Sequence, residues 1–312
     1  MTLVSVVVIT YNSAKTVIET LESIKAQSYQ NIELIVSDDC SNDNTVDLVR
    51  EWLELKGSRF VNTEIVTTGK NTGVAGNINR GVAKSHGEWI KSIAGDDLLI
   101  PTAIEEYISF IATSKERVRM CVSDVECFSE SDVAEELLMA YKNYFEKEKE
   151  SFHKQKKRVC TELCFVGPTF FYSRELYNEI GGFLEKYGNA EEWPFVYKVI
   201  MQGNRIYAID NKLVRYRIQN DSLCRFKDKK GLGNHTLFMN TYKFFFDYPF
   251  KYLLRTNPLV AWHYCLAFLV KRIQYRVSHP FIRKSIGFGW YLLSPLSYWK
   301  GLRMIVKGKS LL

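Results

Sequence analysis

The first hundred residues alternate between two hydrophobic periods. Val4-Ser5-Val6-Val7-Val8-Ile9-Thr10 is a β-branched run with few polar positions, the pattern of a strand buried on both faces of a parallel sheet. After Tyr11-Asn12-Ser13, with Ser13 as the expected N-cap, apolar Val17, Ile18, Leu21 and Ile24 recur at helical spacing. Ile32-Glu33-Leu34-Ile35-Val36 predicts a second strand, and Val46, Val49, Trp52 and Leu53 a second helix. Thr63-Glu64-Ile65-Val66 is a third, short strand, and Asn71-Thr72-Gly73-Val74-Ala75-Gly76-Asn77 opens a helix ending at Ser85-His86-Gly87. Glu88-Trp89-Ile90-Lys91-Ser92-Ile93 climbs as a fourth strand and stops at Gly95-Asp96-Asp97. Pro101 then opens another helix, where its missing N–H costs nothing. Strand and helix alternating across short turns predict an α/β fold with a doubly wound, mostly parallel sheet flanked by helices.

Beyond residue 117 the pattern loosens. Residues 118–128 read as a strand, and 135–157 as a charged amphipathic helical stretch carrying Tyr141, Tyr144, Phe145 and Phe152. From Phe238 onward, aromatic clusters alternate with Lys and Arg, and Pro249, Pro258, Pro280 and Pro295 break the tail into short helices. The chain carries a net charge of +7, yet from His235 on there are twelve Lys/Arg against one acid, Asp247. A basic, aromatic tail on a mildly acidic body suits the interface of an anionic bilayer. Packing on the α/β body or on a second subunit is the alternative. The apolar share is too high for a surface tracking nucleic-acid phosphates, so no nucleic-acid partner is expected. No run reaches the roughly 18 apolar residues of a membrane span. The seven cysteines form no regular framework, and with no signal-peptide pattern at the start they fit a reducing, cytoplasmic compartment.

Two adjacent carboxylates at the carboxyl end of a strand sit where open α/β sheets place their ligands. Oxygen-only ligands suit Mg²⁺ or Mn²⁺, held by one or two carboxylates plus substrate phosphates. Alone, Gly95-Asp96-Asp97 is as well explained by a polar turn. Its neighbours change that. Val-Val-Ile-Thr-Tyr-Asn, then Ser-Asp-Asp-Cys-Ser-Asn-Asp-Asn-Thr from Ser37, then Asn71-x-Gly73, then Gly87-Glu88-Trp89-Ile90 running to Asp96-Asp97 and Pro101, resemble in order the signatures of family 2 glycosyltransferases. Gly181-Gly182-Phe183, Glu191-Glu192-Trp193 and the strand Leu213 to Ile218 extend the resemblance to about residue 220.

That resemblance implies a GT-A fold and inverting transfer of a sugar from a UDP-sugar, at residues 1–234; the basic, aromatic tail predicts a membrane-associating helical extension over 235–312. Residues 1–117 would form the nucleotide-binding half and 118–234 the acceptor half. By resemblance Thr10, Tyr11 and Asn12 line the uracil pocket. Asp39 accepts the uracil N3–H beside Asp38, and Asn71, Gly73 and Lys84 face the diphosphate. Asp97 holds the cation, and Asp96 the ribose or metal-bound water. Glu192 stands where the family's Glu-Asp pair has its Asp and is the expected base, with Glu191 as the fallback. The implied acceptor is a glycan or polyprenyl-diphosphate-linked sugar of bacterial O-antigen or capsule assembly, at the inner face of the cell membrane. Three positions depart from the family: Ile78 replaces an arginine (Arg80 lies two residues on), Gln219 replaces a histidine, and Glu192 replaces Asp. These departures are what an inactive, nucleotide- or glycan-binding relative would show.

Overall fold

The computed structural model describes residues 1–129, 151–162, 166–218, 234–277, 279, 281–282 and 285–286. Most of the helical stretch expected at 135–157, Gln219, Cys164, Cys224 and the clusters beyond residue 286 lie outside them. The chain divides into two compact units, Met1–Asn220 and Asp221–Leu312.

In the first unit β1 (Val4–Thr10) runs parallel to β2 (Ile32–Asp38) on one side and β4 (Trp89–Ala94) on the other. Helices α1 (Val17–Lys25), α2 (Thr45–Lys56) and α3 (Gly73–Lys84) make the crossovers, and β3 (Asn62–Val66) extends the sheet beside β2. Val4, Val6, Val8 and Leu34 point to one face and are sealed by Leu21 and Ile24 of α1, all fully buried. Strands buried on both faces explain the near-continuous apolar runs.

The second half of the sheet is mixed. The two-residue β5 (Leu98–Leu99) precedes α4 (Ala103–Thr113) and β6 (Met120–Phe128). Helix α5 (Phe152–Val159), the short β7 (Phe171–Ser173), α6 (Arg174–Ile180), α7 (Glu192–Met201) and β8 (Tyr207–Arg217) follow. Strand order is β3-β2-β1-β4-β7-β6-β8-β5. β7 is antiparallel to both β4 and β6, while β8 is parallel to β6 and antiparallel to β5. The parallel arrangement expected from the sequence therefore describes β3-β2-β1-β4, and the remaining strands join it through β7.

Two local expectations shift. α1 begins at Val17, and Ser13 serves instead through its carbonyl, which accepts the Thr16 and Val17 amides at 3.0 and 2.9 Å. Pro101 lies two residues before α4, because Leu98 and Leu99 first pair with Arg215 and Val214 of β8.

In the second unit, α8 (His235–Asp247) leads to α9 (Pro249–Thr256) and α10 (Pro258–Arg276), each of the last two with proline in its first turn. Phe268 of α10 packs against Phe238, Tyr242, Phe245 and Phe246 of α8. The outward positions of α10 are apolar too: Leu259, Trp262, Leu269 and Ile273 are 40–65% exposed.

One buried carboxylate aligns the three central strands at the end opposite the acidic turn. Glu33 of β2 accepts from the Ser5 hydroxyl at 2.5 Å, the Gly87 amide at 2.8 Å and the His86 amide. Burial works to raise its pKa, but these donors outweigh it and hold the carboxyl below its usual range. Glu33→Gln places an amide N–H against the Ser5, His86 or Gly87 donors. It should lower unfolding free energy by about 1–3 kcal/mol at pH 7, read from the urea midpoint.

Candidate active site

The site is assembled where the strand order turns back on itself, at the carboxyl ends of β1, β2 and β4. β1's last carbonyls are claimed from both sides: Ile9 O accepts the Gly95 amide at 2.9 Å, and Thr10 O the Asp39 amide at 3.0 Å. This draws the exits of three strands together. Tyr11 projects from the tip, 49% exposed. Asn12 and Cys40 adopt left-handed backbone, φ 51° and 67°, and the two loops interlock. The Asn12 amide donates to the Ser41 hydroxyl and Asn12 Oδ1 accepts the Asn42 amide, each at 2.8 Å.

Asp38 and Asp39 differ in their work. Asp38 is buried and accepts from the Thr10 hydroxyl at 2.7 Å and from the Ser41 amide and hydroxyl at 2.8 and 2.6 Å, so it fixes the turn. Asp39, 2% exposed, clamps the start of α3. It accepts from the Thr72 hydroxyl at 2.7 Å, the Gly73 amide at 2.7 Å, the Thr72 amide and Arg80 Nη2 at 2.9 Å. Gly73 takes φ +80°, a conformation that glycine adopts without the Cβ clash, and its amide also donates to Asn71 Oδ1 at 3.0 Å. Burial raises the Asp39 pKa, and the Thr72, Arg80 and Gly73 donors more than reverse that, leaving it lowered.

Arg80 is the residue the sequence reading underused. Its guanidinium reaches Asp39, Asn77 Oδ1 at 2.9 Å and Asp38 O at 3.2 Å, so it joins the cup formed by the Asp38-Asp39 turn and the start of α3, whereas Ile78 is buried. Lys84 is a correction. It sits at the far end of α3, about 16 Å along the helix from Gly73 at 1.5 Å per residue. There it is 54% exposed and pairs with Glu64 at 3.5 Å, so it does not join the cup.

Asp97 is 1% exposed. Its Oδ1 accepts the Arg217 amide at 2.9 Å, and its Oδ2 is buried with no hydrogen-bond partner. Burial, then the neighbouring Asp96, push its pKa well above the usual carboxylate range. Arg217 also binds the Asp96 carbonyl through Nε at 2.8 Å, pairs with Glu19 and lies 4.6 Å from the centre of the Phe128 ring. Thr16 and Thr20 of the first crossover hold Gly95 O and Asp97 O at 2.7 and 2.8 Å. Among the described residues no three His, Cys, Asp or Glu side chains gather to cage a cation. An orphaned carboxylate oxygen beside a second acid still fits a hard cation that completes its shell with water and substrate phosphates.

The second acidic pair opens α7. Glu192 Oε1 accepts the Gly167 amide at 2.9 Å, and Glu191 Oε2 is buried without a partner. Trp193, donating to Val159 O at 2.8 Å, ties this turn to α5. Burial raises Glu192 to about 8, with Glu191 adding to it and the Gly167 amide opposing, and raises Glu191 to about 7.

Fold and acid pairs together define a protein of the GT-A class. The structure is similar to crystal structures of S. aureus TarS residues 1–349 (TM-score 0.58, 20% identity, 96% of this chain and 92% of that one). It is also similar to the mannosyltransferase PcManGT from Pyrobaculum calidifontis in complex with GDP-Man and Mn²⁺ (TM-score 0.60, 20% identity, 96% and 83%). The chain belongs to glycosyl transferase family 2, whose profile matches residues 5–181. Among its relatives are a UDP-Glc:α-D-GlcNAc-diphosphoundecaprenol β-1,3-glucosyltransferase, WfaP, of Escherichia coli, 34% identical over 37% of this chain and 43% of that protein. The putative glycosyltransferase EpsE of Bacillus subtilis is 32% identical over 35% and 38%. The chain thus spans about two fifths of either relative.

The raised acids carry a pH signature. Between the unfolded value of 4.5 and the folded value of about 8, the folded Glu192 holds a proton the unfolded chain has released, so its contribution to stability falls as pH rises. Glu192→Gln should melt at the same temperature as the unaltered chain near pH 4.5 and several degrees higher at pH 8, by scanning calorimetry.

Proposed function

We propose that this chain transfers a sugar, with inversion, from a UDP-sugar to a lipid-linked or surface-polysaccharide acceptor, as in bacterial O-antigen or capsule assembly. The observation that carries the reading is the pair of buried acid sites. Asp97 has a buried oxygen without a partner, and burial holds the Glu191-Glu192 pair above the usual carboxylate range, toward the pH where a general base is most effective. The relatives support it. WfaP is named for a UDP-glucose donor and a diphosphoundecaprenol-linked acceptor, and a TarS structure is in complex with UDP-GlcNAc.

In this reading the base of the nucleotide stacks on Tyr11, with Thr10, Asn12, Asp38 and Asp39 shaping its pocket. Uracil N3–H would share an Asp39 oxygen that already accepts from Thr72 and Gly73. Asn71 and Gly73 face the diphosphate, and Asp96 the ribose. Mn²⁺ or Mg²⁺ would be held by Asp97 with Asp96 beside it and would supply Lewis-acid stabilisation of the departing diphosphate. Glu192 takes the proton from the acceptor hydroxyl, with Glu191 as the alternative. The freed oxygen bonds to the anomeric carbon from the face opposite the diphosphate, and the broken C–O bond's electron pair leaves with UDP.

The second unit would hold the enzyme at the inner face of the cell membrane. No described helix is long and apolar enough to cross a bilayer. α10 instead presents Leu259, Trp262, Leu269 and Ile273 outward, at helical spacing, close in sequence to Lys271, Arg272 and Arg276. Lys and Arg near an anionic surface contribute about 1 kcal/mol each.

Glu192→Gln should retain UDP-sugar affinity by calorimetry and lose turnover by about 10²–10⁴-fold. The rate of the unaltered chain should rise with pH through 7–8 as the acid pair loses its protons. Loss of turnover in Glu191→Gln alone would move the role by one residue. Asp97→Ala should abolish transfer; normal turnover by this variant, and by the unaltered chain in EDTA, would remove the cation from the mechanism. A panel of UDP-sugars, read by UDP release, separates an enzyme from a binding module. Sedimentation with phosphatidylglycerol vesicles, but not with phosphatidylcholine vesicles, should carry down the full chain, and Trp262→Glu with Leu269→Glu should leave it in the supernatant.

A further inference from the structure

Lys91 lies in the middle of β4, three residues before the strand ends, and is fully buried. A lysine in a dry core needs a reason, because burial without partners penalises its charge by several kcal/mol. Its partners all belong to the backbone. Nζ donates to Pro168 O, with Ser92 O at 3.3 Å and Phe170 O at 3.4 Å. The ammonium also lies 5.8 Å from the centre of the Tyr107 ring. Two of the three carbonyls belong to the turn Gly167–Thr169 and the residue that follows it. Tyr107 holds the same turn, donating to Thr169 O at 2.9 Å.

The turn has a second client. The Gly167 amide donates to Glu192 Oε1 at 2.9 Å. The approach is so close that a Cβ built on Gly167 would stand 2.1 Å from that oxygen. The carboxyl of Glu192 therefore rests directly on the backbone that Lys91 grips from below. No side chain intervenes. The turn is one residue removed from β7, the three-residue strand that bridges the parallel and mixed halves of the sheet.

We propose that Lys91 is a positioning residue for the Glu192 carboxyl: its Nζ, anchored on the donor-half strand that leads to Asp96 and Asp97, fixes the Gly167–Thr169 turn and through the Gly167 amide fixes Glu192. The inference rests on Glu192 being the base. It adds that the base is registered against β4, and so against the strand exit that carries Asp97, by the Lys91 side chain alongside the backbone pairing of β4 with β7. Burial lowers the Lys91 pKa to about 7, and Asp97 and then Cys121 oppose that. A neutral amine would still donate two of its hydrogens, so the anchoring does not require the charge.

Lys91→Met conserves length and apolar volume while removing every donor. In steady-state transfer assays well below the melting temperature, it should lower kcat by 10-fold or more and leave the donor KM within about two-fold. Lys91→Gln, which keeps a shorter donor, should recover part of the loss. Gly167→Ala reaches the same turn from the other side without touching Lys91. Its Cβ must displace the carboxyl, so it should reproduce the split between kcat and KM. In the Glu192→Gln background, on residual turnover, Lys91→Met should add less than two-fold, since there is no base left to position. A folded Lys91→Met that keeps kcat within two-fold overturns the proposal, as does full additivity with Glu192→Gln. If Lys91→Met does not fold, an unchanged kcat in Gly167→Ala is the overturning result. Normal turnover in Glu192→Gln itself would instead remove the assignment of the base and is distinguishable from each of these.

Discussion

Two hydrogen bonds at the top of β1 govern the rest of the site. Ile9 O and Thr10 O accept the amides of Gly95 and Asp39, so the chain leaving β4 and the chain leaving β2 are each tied to the central strand at its last residues. Parallel pairing on both flanks of β1 makes this geometry available, because all three strands point their carboxyl ends the same way. Tyr11, the Asp38-Asp39 turn and the Asp96-Asp97 turn are brought to one rim as a result. The interlocked Asn12 and Ser41 loops and the Asp39 clamp on α3 follow from that convergence.

The acids of the first unit are electrostatically uneven. Asp39 is saturated by Thr72, Gly73 and Arg80 and stays ionised, whereas Asp97 and Glu191 each keep a buried oxygen that the protein does not satisfy. Unmatched buried polar atoms cost free energy. Among the acids of the described residues they persist at two, Asp97 against Arg217 and Glu191 beside Glu192, which rests on the turn above Lys91. Both acids lie in pairs that the family resemblance assigns to chemistry, and such a cost is of the kind that functional sites carry.

The first four strands and their helices were legible because their signals are local: β-branched runs of five to seven residues, helices at 3.6-residue spacing, and acids placed at strand exits. β5 and β7 were not, since strands of two and three residues fall below what periodicity resolves and their pairing is decided by distant partners. The acid pairs were visible as sequence, but their division of labour was not. Asp38 and Asp39 look alike on paper, and only the fold shows one fastening its own turn and the other fastening α3. Arg80 was legible as a nearby cation, though not as the ligand of Asp39. Lys84 was expected at the diphosphate, and eleven residues of helical rise separate it from Gly73. Lys91 carried no signal at all, because one polar residue inside a strand usually marks a solvent-facing position.

The bond from the Arg217 amide to Asp97 spans 120 residues of chain. The βαβ units that make the rim close short loops, and the entropy of loop closure grows only slowly with length, but contacts of this separation still dominate the barrier to folding. The one amide that donates to Asp97 Oδ1 belongs to the last residue of β8. The acidic turn thus draws its local shape from the chain beside it, through Thr16 and Thr20, and its amide donor from the far end of the same unit.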